Sequence, residues 1–172
     1  MWYGGRSIGS VGQRDFNTRD FNKRDLGMSG TDGATGWYFE DLAIGQTASR
    51  ANTVTAATIA AFADVSGDRN PVHLDAAYAA TTMFKEPIAH GMLAAAYISA
   101  VVGMDLPGPG AIYISQSLAF KAPVKVGDTV TATARIVELL PKRRVRIETL
   151  CTVGGKTVVE GEAVMLVPAR PA

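Results

Sequence analysis

The chain has 172 residues, 47% hydrophobic and 19% charged, a composition typical of one globular domain and not of a disordered or fibrous protein. Its 17 basic and 16 acidic residues give a net charge of +1, which excludes the one-signed surface that holds nucleic acid or an anionic membrane. The single cysteine, Cys151, excludes an intrachain disulfide and with it a disulfide-stapled scaffold.

The first 36 residues differ in composition from the rest of the chain. They hold 8 of the 18 glycines and a near-repeat of period five, Arg14–Asn17 and Arg19–Asn22 followed by Arg24–Leu26. That period fits neither a helix face nor a strand face, and few apolar residues are present to stabilise a fold. We therefore predict a flexible tail over residues 1–36 and one domain over residues 37–172. No apolar run long enough for a signal-peptide core is found, so a cytoplasmic location is expected.

The helical patterns precede the strands. Thr55 is a plausible N-cap for a helix that Gly67 ends, and Asp75 for a short helix over Ala76–Thr82. Residues 87–104 lack Asp, Glu, Lys and Arg but include five alanines, which favours a buried helix over a membrane span. We predict that this long helix runs from His90 to Met104 and is covered on most sides.

Strand patterns dominate the second half. A strand is predicted over Gly45–Val54, and four more follow the long helix: Ala111–Val124, Thr129–Leu140, Arg143–Val153 and Thr157–Val167. Gly154-Gly155 indicates a tight hairpin. Arg144 and Arg146 alternate with apolar residues, which favours the solvent face of a strand over an anion site. An α+β architecture follows, an antiparallel meander of about four strands around one buried helix.

Candidate catalytic groups are concentrated in the segment SGDRNPVHLD. Pro71 restricts Asn70 to an extended conformation, so the turn is rigid, and the side chains of Asp68 and His73 can point to one place. A carboxylate and a neutral imidazole that share one water can remove a proton and return one near pH 7. The alternatives are a turn-forming Asp68 and a core histidine.

A second candidate site lies where the long helix starts. Gly91 would let a ligand carbonyl approach the free N–H groups there, which is an oxyanion-hole arrangement. His90 is expected to shape the site by orienting or packing, with an acid–base role as the alternative. His73, Asp75 and His90 are metal-ligand types, but HExxH and Cys pairs are absent, so no metal is predicted. Motifs for nucleotide cofactors and for a serine nucleophile are absent too.

Three motifs, SGDRNPVHLD, FKEPIAHGML and QSLAFKAPVKVGD, resemble those of the MaoC-like hydratases over about residues 38–168. Within that family the chain resembles the single-domain (R)-specific enoyl-CoA hydratases that supply monomers for polyhydroxyalkanoate synthesis. The resemblance implies a hot-dog fold, in which an antiparallel sheet wraps one long helix, and a homodimer. It implies reversible addition of water to a trans-2-enoyl-CoA, an intermediate of fatty-acid β-oxidation, giving the (R)-3-hydroxyacyl-CoA without cofactor or metal.

Residue by residue, Asp68 and His73 match the family's catalytic pair, and Asn70 matches an amide that shapes the site. Gly91 matches the glycine whose N–H polarises the thioester carbonyl, and Ser99 lies where the family's helix lines the acyl pocket.

Val102 is three residues beyond Ser99 and so shares its helix face, which predicts that the two residues form the far wall of a pocket for short to medium acyl chains. The alternative is a wall on the opposite side of the helix. Three alternatives for the function stay open. They are a thioesterase on the same fold, a non-catalytic acyl-thioester-binding subunit, and a hydratase for acyl carrier protein or for branched or dicarboxylic substrates.

Overall fold

The computed structural model describes residues 36–171, so the tail predicted for residues 1–36 lies, apart from Gly36, outside the described residues. Within them a short 3-10 helix at Phe39–Asp41 precedes four helices and six strands. The helices are α1 (Ala56–Ser66), α2 (Pro71–Leu74), α3 (Ala76–Thr81) and α4 (Gly91–Met104). The strands are β1 (Thr47–Thr53), β2 (Ile112–Gln116), β3 (Ala119–Phe120), β4 (Thr129–Leu140), β5 (Arg144–Val153) and β6 (Lys156–Leu166). A helix able to cross a membrane is not found among these elements.

The predicted helix caps are confirmed. The Thr55 hydroxyl accepts from the Thr58 N–H at the start of α1, and Gly67 ends that helix with φ +77°. Asp75 accepts from the N–H groups of Ala77 and Tyr78 at the start of α3. Helix α2 is a single turn that the sequence analysis treated as part of a loop.

The sheet is antiparallel, with strand order β1-β4-β5-β6-β2. The predicted meander is right for β4, β5 and β6, but β2 pairs with β6 instead of lying beside β4, and β1 covers the free side of β4. The strand predicted over Ala111–Val124 is wrong in its length, because the chain breaks into β2 and β3.

Close backbone contact explains that break. The Ser117 N–H donates to the Glu162 carbonyl, and the Glu162 N–H donates to the Ser117 hydroxyl. A Cβ on the facing residue, Gly161, would lie only 1.8 Å from the Ser117 carbonyl oxygen. The glycine therefore allows the backbone of the β2–β3 link to lie close against β6.

Two hairpin turns close the sheet. Gly154 and Gly155 both have positive φ, at 55° and 81°, as the predicted tight turn requires. Lys142 and Arg143 also have positive φ, at 58° and 56°, so Arg143 belongs to the turn and not to β5 as predicted. Arg144 is exposed, as expected for the solvent face of a strand.

The core lies between α4 and the sheet. Leu93, Ile98, Val101 and Val102 of α4 are buried against a sheet face that includes the fully buried side chains of Val130, Ala132, Ala134, Ile136 and Ile147. The alanines of β4 let the helix approach the sheet closely. Helix α4 is covered on most sides, but one face is open, because Met92, Ala96 and Ser99 are exposed. This face is therefore available for contact.

Candidate active site

The turn between α1 and α2 holds Asp68 by main-chain contacts. The Asp68 carboxylate accepts from the Asn70 N–H at 3.2 Å, and the Asp68 N–H donates to the Ser66 hydroxyl at 3.2 Å. The Asn70 side chain caps α2 by accepting from the Val72 N–H, and Pro71 occupies the first helical position. The turn is therefore rigid, as predicted, and it carries an exposed carboxylate.

One turn of helix then places His73 beside that carboxylate. The Nδ1 atom of His73 lies 2.8 Å from the carbonyl oxygen of Ile88. Because a carbonyl oxygen can only accept, Nδ1 carries the hydrogen, and in the neutral ring Nε2 has the free lone pair. His73 therefore has one nitrogen fixed by the fold and one available for proton transfer.

His90 completes a cluster of three titratable side chains. Asp68, His73 and His90 each offer an oxygen or nitrogen atom within 4.8 Å of the others. The His90 ring is 3% exposed, and its Nε2 lies 2.8 Å from the Asp68 carbonyl oxygen. The centroids of the two imidazole rings are 3.8 Å apart. The fold thus brings together three residues that the sequence analysis assigned to two separate sites.

A cleft of about 510 Å³ opens beside this cluster. It reaches from His73 and His90 to the start of α4 at Gly91, and its lining is mostly apolar, including Phe84, Ile88, Phe120, Val124 and Val159. The first-turn N–H groups of a helix lack intrahelical partners, so this wall presents donors and the positive end of the helix dipole. A Cβ on Gly91 would lie 2.8 Å from the Phe120 ring, so only glycine fits there without a shift.

The remaining predicted residues lie farther along α4. Ser99 is exposed and lines a second groove, of about 630 Å³, between α4 and β2, together with Met92, Tyr113, Ile114 and Leu118. Burial raises the pKa of Tyr113, while its hydrogen bond with Ser99 opposes that rise. Val102 is fully buried in the core and lines neither this groove nor the cleft. Ser99 and Val102 therefore have different surroundings: Ser99 faces the groove, and Val102 is packed in the core.

The electrostatics distinguish the candidate catalytic groups from other polar side chains. Arg69, next to Asp68 in the chain, pairs with Asp64, and no ion pair involves Asp68 within residues 36–171.

The lone thiol, Cys151, is buried, and burial raises its pKa to about 12. It is therefore a packing residue, and its thiolate is not available near neutral pH.

The contact between His90 and the Asp68 main chain was not predicted. The only signal for it in the sequence is a histidine in the N-cap position of a helix, where Ser, Thr, Asp or Asn is usual. The rings of His73 and His90 come from segments 17 residues apart, and no local pattern reports their stacking.

Comparison with known proteins defines the class of this fold and site. A family model described as MaoC like domain matches residues 42–162, the part of the chain that holds the turn, α4 and most of the sheet. The chain belongs to this family, and its sheet around a central helix is the hot-dog fold.

Among its relatives, the (R)-specific enoyl-CoA hydratase of Rhodospirillum rubrum is 58% identical over 134 residues, which are 77% of this chain and 93% of that protein. The unliganded R-hydratase of Pseudomonas aeruginosa superposes with a TM-score of 0.76 at 50% identity, covering 78% of this chain and 88% of that one. The (R)-hydratase of Aeromonas caviae involved in polyhydroxyalkanoate biosynthesis gives a TM-score of 0.73 at 47% identity, covering 75% and 99%. These similarities extend over the whole candidate site.

Proposed function

We propose that this chain catalyses the reversible hydration of trans-2-enoyl-CoA to (R)-3-hydroxyacyl-CoA. The observation that carries the proposal is the Asp68 carboxylate within 4.8 Å of the His73 imidazole, which lines a cleft whose wall also includes the helix start at Gly91. The relatives support the choice of reaction and of stereochemistry, since those reported above are named as (R)-specific hydratases.

The proposed reaction begins with the thioester carbonyl at the Gly91 N–H. Asp68 and His73 hold one water at C3 of the substrate, and His73 Nε2 takes a proton from it. The hydroxide adds to C3, and the electron pair of the double bond moves toward the thioester, where the N–H and the helix dipole stabilise the enolate. The His73 imidazolium then returns a proton to C2. Water is added overall, and the enzyme ends in its starting state.

Residues that touch no reacting atom complete the proposed site. Asn70 shapes it by capping α2 and by donating its N–H to Asp68. Ser99 and Val102 are proposed to bound the acyl chain, one from the groove and one from the core. We propose no role for a bound metal, since His73 supplies both proton transfers while Asp68 helps to hold the water.

We propose in addition that residues 37–172 are the catalytic domain and that two copies associate through β2 and the exposed face of α4. Strand β2 is an edge of the sheet and exposes Ile112 and Ile114, and an apolar edge strand of this kind favours pairing. Light scattering at micromolar concentration tests the proposed dimer, and finding a monomer contradicts it.

Deletion of residues 1–36 is expected to leave stability and activity nearly unchanged.

Crotonyl-CoA tests the proposed reaction directly. Loss of the enoyl absorbance without release of free CoA thiol is expected, whereas thiol release would indicate a thioesterase, and neither change would indicate a binding subunit. A thiol reagent can be used in the assay because the only cysteine, Cys151, is buried.

Chiral analysis of the product tests the (R) configuration. A comparison of crotonyl-CoA with a crotonyl acyl carrier protein tests the carrier, and production of polyhydroxyalkanoate monomers in cells tests the link from fatty-acid β-oxidation.

A further inference from the structure

We propose that His90 is a positioning residue, which holds the main chain of Asp68 and the ring of His73 in the arrangement that proton transfer needs. The inference rests on the proposed hydratase function. It adds a role to a buried imidazole that the reaction itself does not use.

The position of His90 in the chain is the first observation. It is the N-cap residue of α4, directly before Gly91, but its side chain makes no capping hydrogen bond. The N-cap side chains of α1, α2 and α3, by contrast, all accept from their own helix. The His90 side chain reaches back 22 residues and donates from Nε2 to the Asp68 carbonyl oxygen at 2.8 Å.

The second observation is a reciprocal pair of hydrogen bonds. His73, in α2, donates to the carbonyl of Ile88, and His90 donates back to the carbonyl of Asp68. The two bonds run in opposite directions between the same two segments, with the imidazole rings stacked between them at 3.8 Å and an interplanar angle of 33°. Movement of the segment at residues 88–90 would therefore disturb both the main chain of Asp68 and the ring of His73.

The third observation is that His90, a polar side chain, occupies a buried position. Because Nε2 carries the hydrogen, Nδ1 is a bare acceptor, and it is buried without a hydrogen-bond partner among residues 36–171. A buried acceptor without a partner is unfavourable. A residue needed only to fill space next to Phe62 would be better as an apolar side chain, so the imidazole is retained for its N–H donor.

Three variants of His90 distinguish the contribution of its N–H donor from the contribution of its ring. His90→Gln keeps an N–H donor and loses the ring, His90→Met has nearly the same volume as Gln without a donor, and His90→Phe keeps a ring without a donor. Misplacing a catalytic group by about 1 Å lowers rates by up to about a hundredfold. We expect kcat of His90→Met and His90→Phe to fall at least about tenfold, with KM within about threefold of wild type, and His90→Gln to recover most of that loss.

The matched pair makes the test specific. Equal kcat for His90→Gln and His90→Met at similar melting temperature would overturn the proposal, as would full activity of His90→Phe. A raised KM at unchanged kcat would show substrate binding instead. Val101→Ala, a buried substitution elsewhere in α4, controls for loss of stability alone and is expected to keep the wild-type kcat. A wild type without hydratase activity overturns the proposed function and not this inference.

A measurement on the unmodified protein covers the case in which the variants do not fold. The chain has two histidines, so nitrogen NMR of the ring resolves two imidazoles, which His73→Gln assigns. The structure requires hydrogen on Nδ1 of His73 and on Nε2 of His90 in their neutral forms. Finding the hydrogen on Nδ1 of His90 would overturn the proposal, because that tautomer cannot donate to Asp68.

Discussion

The first turn of α4 and its second half lie on the same helix but differ in what surrounds them. Gly91, at the start, faces a cleft with His73 and His90 on its wall, and free N–H groups of this kind occur only in the first turn of a helix. Ser99 and Val102 lie in the second half, where one faces an apolar groove while the other is in the core. Chemistry is therefore expected at the helix start, and selection of the acyl chain along its length.

The largest effect is expected from the two residues opposite the helix start. Asp68→Asn and His73→Gln should each lower the hydration rate at least about a hundredfold with the fold intact, because the first loses the carboxylate that holds the water and the second loses the group that transfers the protons. Because both serve one water, the double variant should be little worse than the poorer single one. Steady-state kinetics with circular dichroism measures this, and near-normal turnover by either variant refutes the pair.

A smaller effect is expected at Gly91 itself. A methyl group there would meet the Phe120 ring at 2.8 Å, so Gly91→Ala must shift either the ring or the helix start. We expect kcat/KM to fall about tenfold, since the carbonyl would sit off its donor. Adding Phe120→Leu should restore part of the activity by making room. A single variant with full activity would show that close packing at this turn is unnecessary.

In the second half of the helix, at Val102, the expected change is in substrate preference and not in rate. Val102→Gly should raise the ratio of octenoyl-CoA to crotonyl-CoA turnover several-fold by lengthening the acyl site. It should also lower the free energy of unfolding by about 2–4 kcal/mol, because Val102 is fully buried. Val101→Gly, its equally buried neighbour, controls for that loss. An unchanged ratio in folded Val102→Gly removes Val102 from the pocket.

The smallest effect is expected on the covered face of the helix, where the Cys151 thiol lies 3.5 Å from the Ala94 carbonyl oxygen. Burial raises the pKa of Cys151 from 9.0 to about 12, so above pH 9 only the unfolded chain loses the thiol proton. Unfolding then becomes easier by about 1.4 kcal/mol per pH unit, and below pH 9 this term vanishes. Urea unfolding of wild type and Cys151→Ala should therefore show wild type losing stability faster between pH 9 and pH 11. Parallel pH curves would contradict the raised pKa.

Local patterns were sufficient for elements whose environment repeats along the chain. The alternation in β4 and β5, the caps at Thr55 and Asp75, and the glycine pair at Gly154-Gly155 each report a local constraint, and each prediction is confirmed. The gathering of Asp68 and His73 in one turn was predictable for the same reason, since Pro71 stiffens the short link between them.

Long-range contacts were beyond those patterns. The pairing of β2 with β6 joins strands about 50 residues apart, and the break at Ser117 depends on Gly161 opposite it. The spacing of Ser99 and Val102 predicted that they lie on one face of α4. It could not predict that Ser99 is exposed while Val102 is buried. The stacking of His90 on His73 likewise depends on how two loops meet.

The hydrogen bonds that hold the candidate site end mostly on main-chain atoms: the carbonyls of Ile88 and Asp68 and the N–H of Asn70. Every amino acid offers a main-chain carbonyl, and every one except proline offers an N–H, so a substitution at Ile88 that preserves the backbone path leaves its hydrogen bond intact. Protein engineers can therefore vary the side chains around the cleft widely, to admit new acyl groups, while the geometry of the reacting groups is inherited from the fold.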